Sequence, residues 1–232
     1  MAHMYGGAIL FIRLDEGRIF KEPTSSYSGA FLGGRGINIK LLYDGSTPET
    51  DPLDPSSLLI FGVGPLCGTP ISASRTEVSA RSPETGFLGS SNFGGHFGPE
   101  IKSAGYDHIV VSGKADGPVY ILIHNEQVEI RDASRIWGKD SYETQSLIRA
   151  EIDSEVQIAC IGQAGENLVH FATIQHDLGH GAGRTGMGAV MGSKNLKAIV
   201  VRGTKAITLA HPEKYLSIAE ERHKQLSDNP CV

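Results

Sequence analysis

A pattern of three local elements occurs twice in this chain, and it limits the possible folds more than any other feature of the sequence. Each copy has a glycine-rich loop, then a short segment in helical register, then an apolar strand. The first copy spans residues 92–115 and the second spans residues 181–204. The two loops, residues 92–98 and 181–188, are too rich in glycine for an ordinary helix or strand. The repeat predicts an internally duplicated domain.

The two loops also indicate a kind of ligand. Glycine lets the backbone bring its N–H groups close to an anion, and a helix that begins behind such a loop adds a partial positive charge. The chain has 29 glycines, and their clustering in loops indicates that they serve particular positions. Two such loops predict one ligand with two phosphate-bearing halves.

The other elements are predicted from hydrophobic spacing and turn residues. Two β-hairpins are expected, with turns at Asp15-Glu16-Gly17 and at Asn125-Glu126. Further strands are expected at residues 58–63, 76–81 and 156–161, and helices at residues 141–152 and 211–226. Hairpins and short helices alternate irregularly, which favours an α+β fold with two related, antiparallel-rich β-sheets over a doubly wound fold.

A glycine tetrapeptide interrupts one predicted helix. Ser28 is predicted to cap a helix that continues through residues 37–43, with Gly33-Gly-Arg-Gly36 inside it. Each glycine in a helix interior costs about 1 kcal/mol relative to alanine. We therefore expect the helix to be split, or to begin after Gly36. The same tetrapeptide is a third, weaker candidate for an anion-binding loop.

Charge and composition exclude several classes of protein. A formal net charge of −5 argues against a nucleic-acid partner, because non-specific binding needs many lysines and arginines. No run of 18 apolar residues and no secretion signal occurs, so we expect no membrane partner and a cytoplasmic protein. Residues 1–4 resemble a cloning scar. Residues 5–207 are expected to form one domain, and residues 208–232 a truncated linker or the start of a further helical domain.

Cysteine and histidine spacing gives no metal site. Cys67, Cys160 and Cys231 are too far apart for a C-x-x-C site, and three thiols cannot supply a four-cysteine iron–sulfur cluster. We expect reduced, structural thiols. His176 and His180 have the spacing of a helical metal pair, but their segment continues into glycines and is predicted to be a loop with solvated histidines.

Three side chains near the glycine loops are candidates for binding. Arg75 and Arg184 carry guanidinium groups, whose paired donors suit phosphate, whereas the alternative is a surface arginine paired with a carboxylate. Asn92 opens the first loop and can supply an amide or main-chain oxygen to Mg²⁺. The alternative for Asn92 is a left-handed turn residue, and the sequence does not choose between the two.

Common nucleotide and hydrolase motifs do not account for these residues. The chain has no G-x-G-x-x-G after a first strand, no Walker lysine motif and no G-x-S-x-G. The loops therefore need a different explanation.

Several segments together resemble a known family. They are Arg75 and residues 90–98, 104–107, 161–166 and 183–198. The chain resembles, over residues 5–205, the N-terminal domain of the tungsten-containing aldehyde:ferredoxin oxidoreductases. Its last segment, Gly-Arg-Thr-Gly-Met-Gly-Ala-Val-Met-Gly-Ser-Lys-Asn-Leu-Lys-Ala, is long enough to be specific.

The resemblance implies a cofactor and the residues that hold it. In this family the domain is the base for a bis-pterin dithiolene cofactor that carries tungsten or molybdenum, and Mg²⁺ bridges the phosphates of the two pterins. The implied cofactor-binding residues are Arg75, Asn92, Phe93, Gly94, Gly95, Gly183, Arg184 and Thr185. Asn92 would also bind the magnesium, through its backbone or its amide. Dithiolene sulfurs hold the metal in this family, so the resemblance implies no protein ligand to tungsten.

The resemblance also implies an activity for a longer polypeptide. A complete enzyme would oxidise an aldehyde with water to a carboxylic acid and pass the electrons through a [4Fe–4S] cluster to ferredoxin. The cluster ligands and catalytic residues belong to later domains in this family, so we expect no catalytic residue here and no activity from this chain alone. A homodimer is also expected. Two alternatives stay open: a non-catalytic phosphate- or nucleotide-binding module, and a structural domain whose glycines serve only close packing.

Overall fold

The computed structural model describes residues 3–71 and 73–229. Within them, the strands are β1 (Ala8–Arg13), β2 (Arg18–Pro23), β3 (Leu59–Val63), β4 (Thr76–Arg81), β5 (Leu88–Phe93), β6 (Tyr106–Ser112), β7 (Val119–His124), β8 (Gln127–Asp132), β9 (Gln157–Cys160), β10 (Ile174–His176), β11 (His180–Ala182) and β12 (Leu196–Arg202). The helices are α1 (Ser25–Phe31), α2 (Arg35–Gly45), α3 (Phe97–Ser103), α4 (Ser141–Glu151), α5 (Gln163–Glu166), α6 (Met187–Ser193) and α7 (Pro212–Ser227). None of these helices is long and apolar enough to cross a membrane.

The strands form two six-stranded sheets with the same topology. The first sheet has the order β2-β1-β6-β3-β4-β5, and the second, read in the same sense, has the order β8-β7-β12-β9-β10-β11. In each sheet one pair is parallel, β1 with β6 and β7 with β12, and the other four pairs are antiparallel. The predicted α+β fold, with two related and antiparallel-rich sheets, is confirmed.

The two sheets enclose a pair of short helices. Helix α3 contacts strands of both sheets, and so does α6, so the central core has a sheet, two helices and a sheet in successive layers. The outer face of the first sheet is covered by α2 and that of the second sheet by α4, each with its own smaller apolar cluster. The loops that precede α3 and α6 consequently begin inside the same layered core.

Both predicted hairpins are present, with turns that have a local physical reason. Gly17 has a φ of 60° and Asn125 a φ of 53°, the left-handed conformation that glycine and asparagine adopt most readily. The predicted strands at residues 58–63, 76–81 and 156–161 and the predicted helices at residues 141–152 and 211–226 are also found, within a residue or two at each end.

Three local predictions are wrong. Ser28 does not cap a helix, because the helix is split as expected but its first part, α1, begins at Ser25 after Thr24. Asn92 does not open a loop but lies on β5, whose pairing with β4 extends to Phe93. The segment around His176 and His180 is the β10–β11 hairpin instead of a solvated loop. These short strands lack the length over which hydrophobic alternation can be recognised.

Glycine lets α5 and α6 approach each other closely. A Cβ atom built on Gly192 would lie 1.9 Å from the carbonyl oxygen of Gly165, and one on Gly188 would lie 2.5 Å from that of Thr173. Every residue of α6 is buried, so the helix has no free face onto which such a side chain could turn. Part of the glycine excess therefore serves packing.

Three lysines are buried in the core region, and Lys194 has only neutral partners for hydrogen bonding. Its Nζ donates to the carbonyl oxygens of Pro55, at 3.1 Å, and Ser57, at 2.5 Å. Burial lowers the pKa of Lys194 to about 8. These two bonds join the end of α6 to the connector that precedes β3.

Replacing Gly192 with alanine tests the helix contact. The added methyl group would overlap backbone that cannot rotate away, so we expect Gly192→Ala to lower the free energy of unfolding by about 3 kcal/mol. Gly29→Ala is the matched control, because Gly29 is an exposed glycine of α1 with nothing within 4 Å of its Cβ position. The control should change stability by less than about 1 kcal/mol. Equal stabilities in urea denaturation would contradict the contact.

Stability should depend on pH through Lys194. Its pKa is about 8 in the folded protein and 10.5 in the unfolded chain, so between these values the unfolded chain binds more protons. The stability of the wild type relative to Lys194→Met should therefore rise by about 2 kcal/mol from pH 7.5 to 9.5. Urea denaturation at both pH values measures this difference. A pH dependence no larger than that of Lys114→Met, at an exposed lysine, would contradict the lowered pKa of Lys194 in the folded core.

Candidate functional site

The edge strands of the two sheets lie side by side. Strand β5 ends the first sheet, β11 ends the second, and the two are in contact. The main-chain N–H of Arg184, just after β11, donates to Ser91 Oγ on β5 at 3.1 Å. This arrangement brings the two glycine-rich segments together at one place, which we call the sheet junction: Arg75, residues 91–95 and residues 183–185.

Both candidate arginines lie at the sheet junction without a carboxylate partner. Arg75 is exposed, and its Nη1 donates to Asn92 Oδ1 at 3.0 Å. Arg184 is also exposed, and its guanidinium has no partner among the described residues. No acidic group of the described chain lies within salt-bridge distance of either arginine, whereas the guanidinium groups of Arg13 and Arg149 do have such partners. Among the described residues, therefore, neither Arg75 nor Arg184 is a surface arginine paired with a carboxylate.

Several backbone N–H groups at the sheet junction are unpaired. Those of Gly94, Gly95, Gly183 and Thr185 donate to no acceptor within the described part of the chain. The Oγ1 of Thr185 is also buried without a hydrogen-bond partner, and this residue has a φ of 58°. Gly94 is buried, Gly95 and Thr185 are half-buried and Gly183 is exposed, so these donors lie at the surface edge of the junction, where an external acceptor can pair them.

Packing does not require glycine at two of these positions. A Cβ atom built on Gly183 would meet nothing closer than 3.7 Å, and one on Gly94 nothing closer than 3.5 Å. Neither residue has the positive φ that favours glycine. By contrast, Gly186 has a φ of 70° and a Cβ atom there would lie 1.8 Å from the His170 oxygen. Gly94 and Gly183 therefore have space for a Cβ atom, and close packing does not explain glycine at either position.

His176 fixes the first glycine loop from the opposite sheet. Its Nε2 accepts the main-chain N–H groups of His96 and Phe97, at 3.2 and 3.3 Å, and its Nδ1 donates to the Ile158 oxygen at 2.9 Å. Burial lowers the pKa of His176, so the ring is neutral and can accept at Nε2. Although Asp177 Oδ2 lies 3.2 Å from the same nitrogen, this contact is not an ion pair.

In two of the predicted site residues, Phe93 and Asn92, fewer atoms are available to a ligand than expected. The Phe93 side chain is 1% exposed and packs against Phe97 in the core, so its main chain alone can face a ligand. The Asn92 amide oxygen already accepts a hydrogen bond from a cation, Arg75. For a magnesium ion, the main-chain carbonyl of Asn92 is therefore the better candidate than its amide.

The third glycine loop lies beside the sheet junction. Arg35, at the start of α2, donates from Nε to Glu77 Oε1 at 3.2 Å. Glu77 is directly opposite Asn92 in the β4–β5 ladder. Sequence reasoning missed Glu77, and its only signal was a charged residue inside an otherwise buried strand pattern.

The remaining metal-binding candidates do not form a site. No group of three or more histidine, cysteine, aspartate or glutamate residues comes together in the described ranges. Burial raises the pKa of Cys67 to about 11 and that of Cys160 to about 12, so both thiols are protonated and unreactive. Cys231 lies outside the described residues.

Comparison with known proteins gives one consistent family. The family model described as aldehyde ferredoxin oxidoreductase, N-terminal domain, matches residues 9–203. The chain is 49% identical to the tungsten-containing aldehyde ferredoxin oxidoreductase of Pyrococcus furiosus, over 99% of this chain and 39% of that protein. It is 46% identical to the protein of the same name from Pyrococcus abyssi, over 98% of this chain and 38% of that protein.

One solved structure is also similar to this chain in fold and in sequence. It is the active site complex BamBC of benzoyl coenzyme A reductase with 1,5-dienoyl-CoA, which has a TM-score of 0.94 and 43% identity over 100% of this chain and 37% of the matched chain. The chain thus spans about two fifths of the length of the proteins it matches. From the family model and the identities to its members, the chain belongs to the aldehyde ferredoxin oxidoreductase family, of which it contains the N-terminal domain.

Proposed function

We propose that the sheet junction holds the phosphate-bearing ends of a bis-pterin dithiolene cofactor that carries tungsten, or molybdenum. The observation that carries this proposal is the combination of unpaired backbone N–H groups with two arginines that have no carboxylate partner. An anion with several acceptor oxygens would pair both kinds of donor at once. The names of the relatives support tungsten as the metal.

The chain's own residues would divide the binding between them. Arg75 and Arg184 would neutralise phosphate charge from two directions, because one lies at the start of β4 and the other after β11. Gly94, Gly95, Gly183 and Thr185 would donate from their backbones. Gly94 and Gly183 would also let the ligand approach the main chain closely, since neither residue has a side chain of its own. Asn92 would offer its main-chain carbonyl oxygen to Mg²⁺.

The longer enzyme would couple this base to a redox reaction. When bound, the metal–pterin group supplies two-electron chemistry: an aldehyde and one water give a carboxylic acid, two protons and two electrons. The electrons would pass one at a time through a [4Fe–4S] cluster to ferredoxin, both outside this chain. This chain's contribution is to bind and orient the cofactor through charge and hydrogen bonds. We further propose a cytoplasmic protein and a homodimer.

The comparisons favour an aldehyde as the substrate without excluding other classes. The two Pyrococcus relatives compared above are named as aldehyde ferredoxin oxidoreductases, whereas the similar solved structure is a benzoyl coenzyme A reductase complex. A domain that contacts phosphates binds the part of the cofactor that does not react. Substrate choice would therefore depend on residues outside this chain. The alternative function is a non-catalytic phosphate- or nucleotide-binding module.

Elemental analysis of the full-length protein, purified without oxygen, tests the proposal directly. We expect about one tungsten or molybdenum and at least about two phosphorus atoms per chain, because each pterin brings a phosphate. Phosphorus without tungsten or molybdenum would support the phosphate- or nucleotide-binding module. Absence of both would contradict the proposed function and leave the family assignment and the fold unchanged.

Replacing an arginine at the sheet junction should release the cofactor. We expect Arg184→Ala and Arg75→Ala each to reduce tungsten and phosphorus per chain several-fold, because each removes a charge-assisted contact to phosphate. Arg13→Ala is the matched control, since Arg13 is a similarly exposed arginine that is paired with Glu16 at 2.8 Å. Full tungsten and phosphorus content in both junction variants would show that the site is elsewhere in the protein.

A further inference from the structure

A third guanidinium group lies at the border of the sheet junction. Arg35 begins α2 directly after Gly33 and Gly34, and its side chain is 59% exposed. Only its Nε is engaged, in the 3.2 Å bond to Glu77. Its two terminal nitrogens have no hydrogen-bond or ion-pair partner among the described residues. The paired end of the guanidinium, which suits two oxygens of a phosphate, is therefore free.

Glu77 ties this guanidinium to the residues of the proposed site. It is the ladder partner of Asn92, and residues directly opposite each other in an antiparallel pair have their side chains on the same face. Arg75 comes immediately before β4, and its Nη1 donates to Asn92 Oδ1 at 3.0 Å, so its guanidinium also lies beside Asn92. Arg35 and Arg75 thus flank Asn92 on one surface.

The Glu77 carboxylate is held more firmly than an ordinary surface group. Its side chain is 10% exposed, and Oε1 accepts from Arg35, from the Ser90 hydroxyl and, at 3.5 Å, from the Ser79 hydroxyl. A buried carboxylate needs such donors, and together they fix its position. By contrast, Glu129, which accepts from Arg131 Nε at 2.8 Å, is 52% exposed and has no other donor among the described residues.

We propose that Arg35 is a third anion-binding arginine of the sheet junction and that Glu77 is its positioning residue. Glu77 holds Nε and leaves the terminal nitrogens without a partner among the described residues, available to a phosphate of the bound group. This assignment rests on the proposed function, because the phosphate belongs to the proposed cofactor. It extends the site from the β5–β11 contact to the start of α2.

Three variants of the full-length holoenzyme distinguish a loss of phosphate binding from a loss of protein stability. Arg35→Gln removes the charge, Glu77→Gln removes the positioning carboxylate, and the double variant removes both without leaving either charge unpaired. Arg131→Gln is the matched control, since it breaks an Nε–carboxylate pair on β8. The readouts are tungsten and phosphorus per chain, the thermal unfolding midpoint, and the fraction of phosphorus retained after dialysis at increasing sodium chloride.

We expect Arg35→Gln to lower phosphorus retention about tenfold at moderate salt and to weaken its salt dependence, because one phosphate contact is lost. Glu77→Gln should give a smaller loss, and Arg131→Gln none. The double variant should unfold near the wild-type midpoint and still retain little phosphorus.

The opposite results are equally informative. Recovery of phosphorus in the double variant would show that Arg35 acts only by neutralising Glu77, and would overturn the proposal. Full retention in Arg35→Gln, with loss in Arg184→Ala, would overturn this inference and leave the proposed function standing. Full retention in both would contradict the two together.

Discussion

The structure depends on the burial of two short helices between two sheets. Every residue of α6 is buried, and α3 contacts both sheets. A helix enclosed in this way must be apolar or small on all sides, which explains a sequence as unusual for a helix as Met-Gly-Ala-Val-Met-Gly-Ser. Each helix follows the edge strand that lies beside the other sheet: α3 follows β5, and α6 follows β11. The glycine loops meet there because the helices behind them share one layer.

This constraint divides the glycines into two groups. Gly186, Gly188 and Gly192 are required by the fold, since a Cβ atom at any of them would overlap backbone atoms. Gly94 and Gly183 are not required by the fold, since both have space for a Cβ atom. The structural alternative, in which glycine serves only close packing, therefore explains the first group and not the second. The net charge of −5 is compatible with a small anion-binding site. A few arginines without carboxylate partners can attract an anion locally even when the chain as a whole is acidic.

The sequence was sufficient to predict the duplication and both long hairpins, because these depend on local patterns, and the binding role of the two arginines stays a prediction. It was insufficient for the β10–β11 hairpin, whose three-residue strands are too short to show alternation. His176 was misinterpreted for the same reason. Its role depends on Phe97 and Ile158, which are distant in sequence and reach it through the packing of two sheets. Glu77 was missed because its partner Arg35 belongs to a different element.

Because of the duplication, the two halves of the sheet junction have equivalent backbone strands but different side chains. Gly62 on β3 and Cys160 on β9 occupy matching positions in the two sheets. Gly62 pairs with Glu77, which pairs with Asn92. In the same way Cys160 pairs with Gln175, which pairs with Gly181. Both halves have unpaired backbone donors, Gly94 and Gly95 in the first and Gly183 and Thr185 in the second. The first half adds the side chains of its edge strands, whereas the second half adds Arg184. The two ends of the junction therefore differ in side chains, and a ligand with two like halves would meet a different set of contacts at each end.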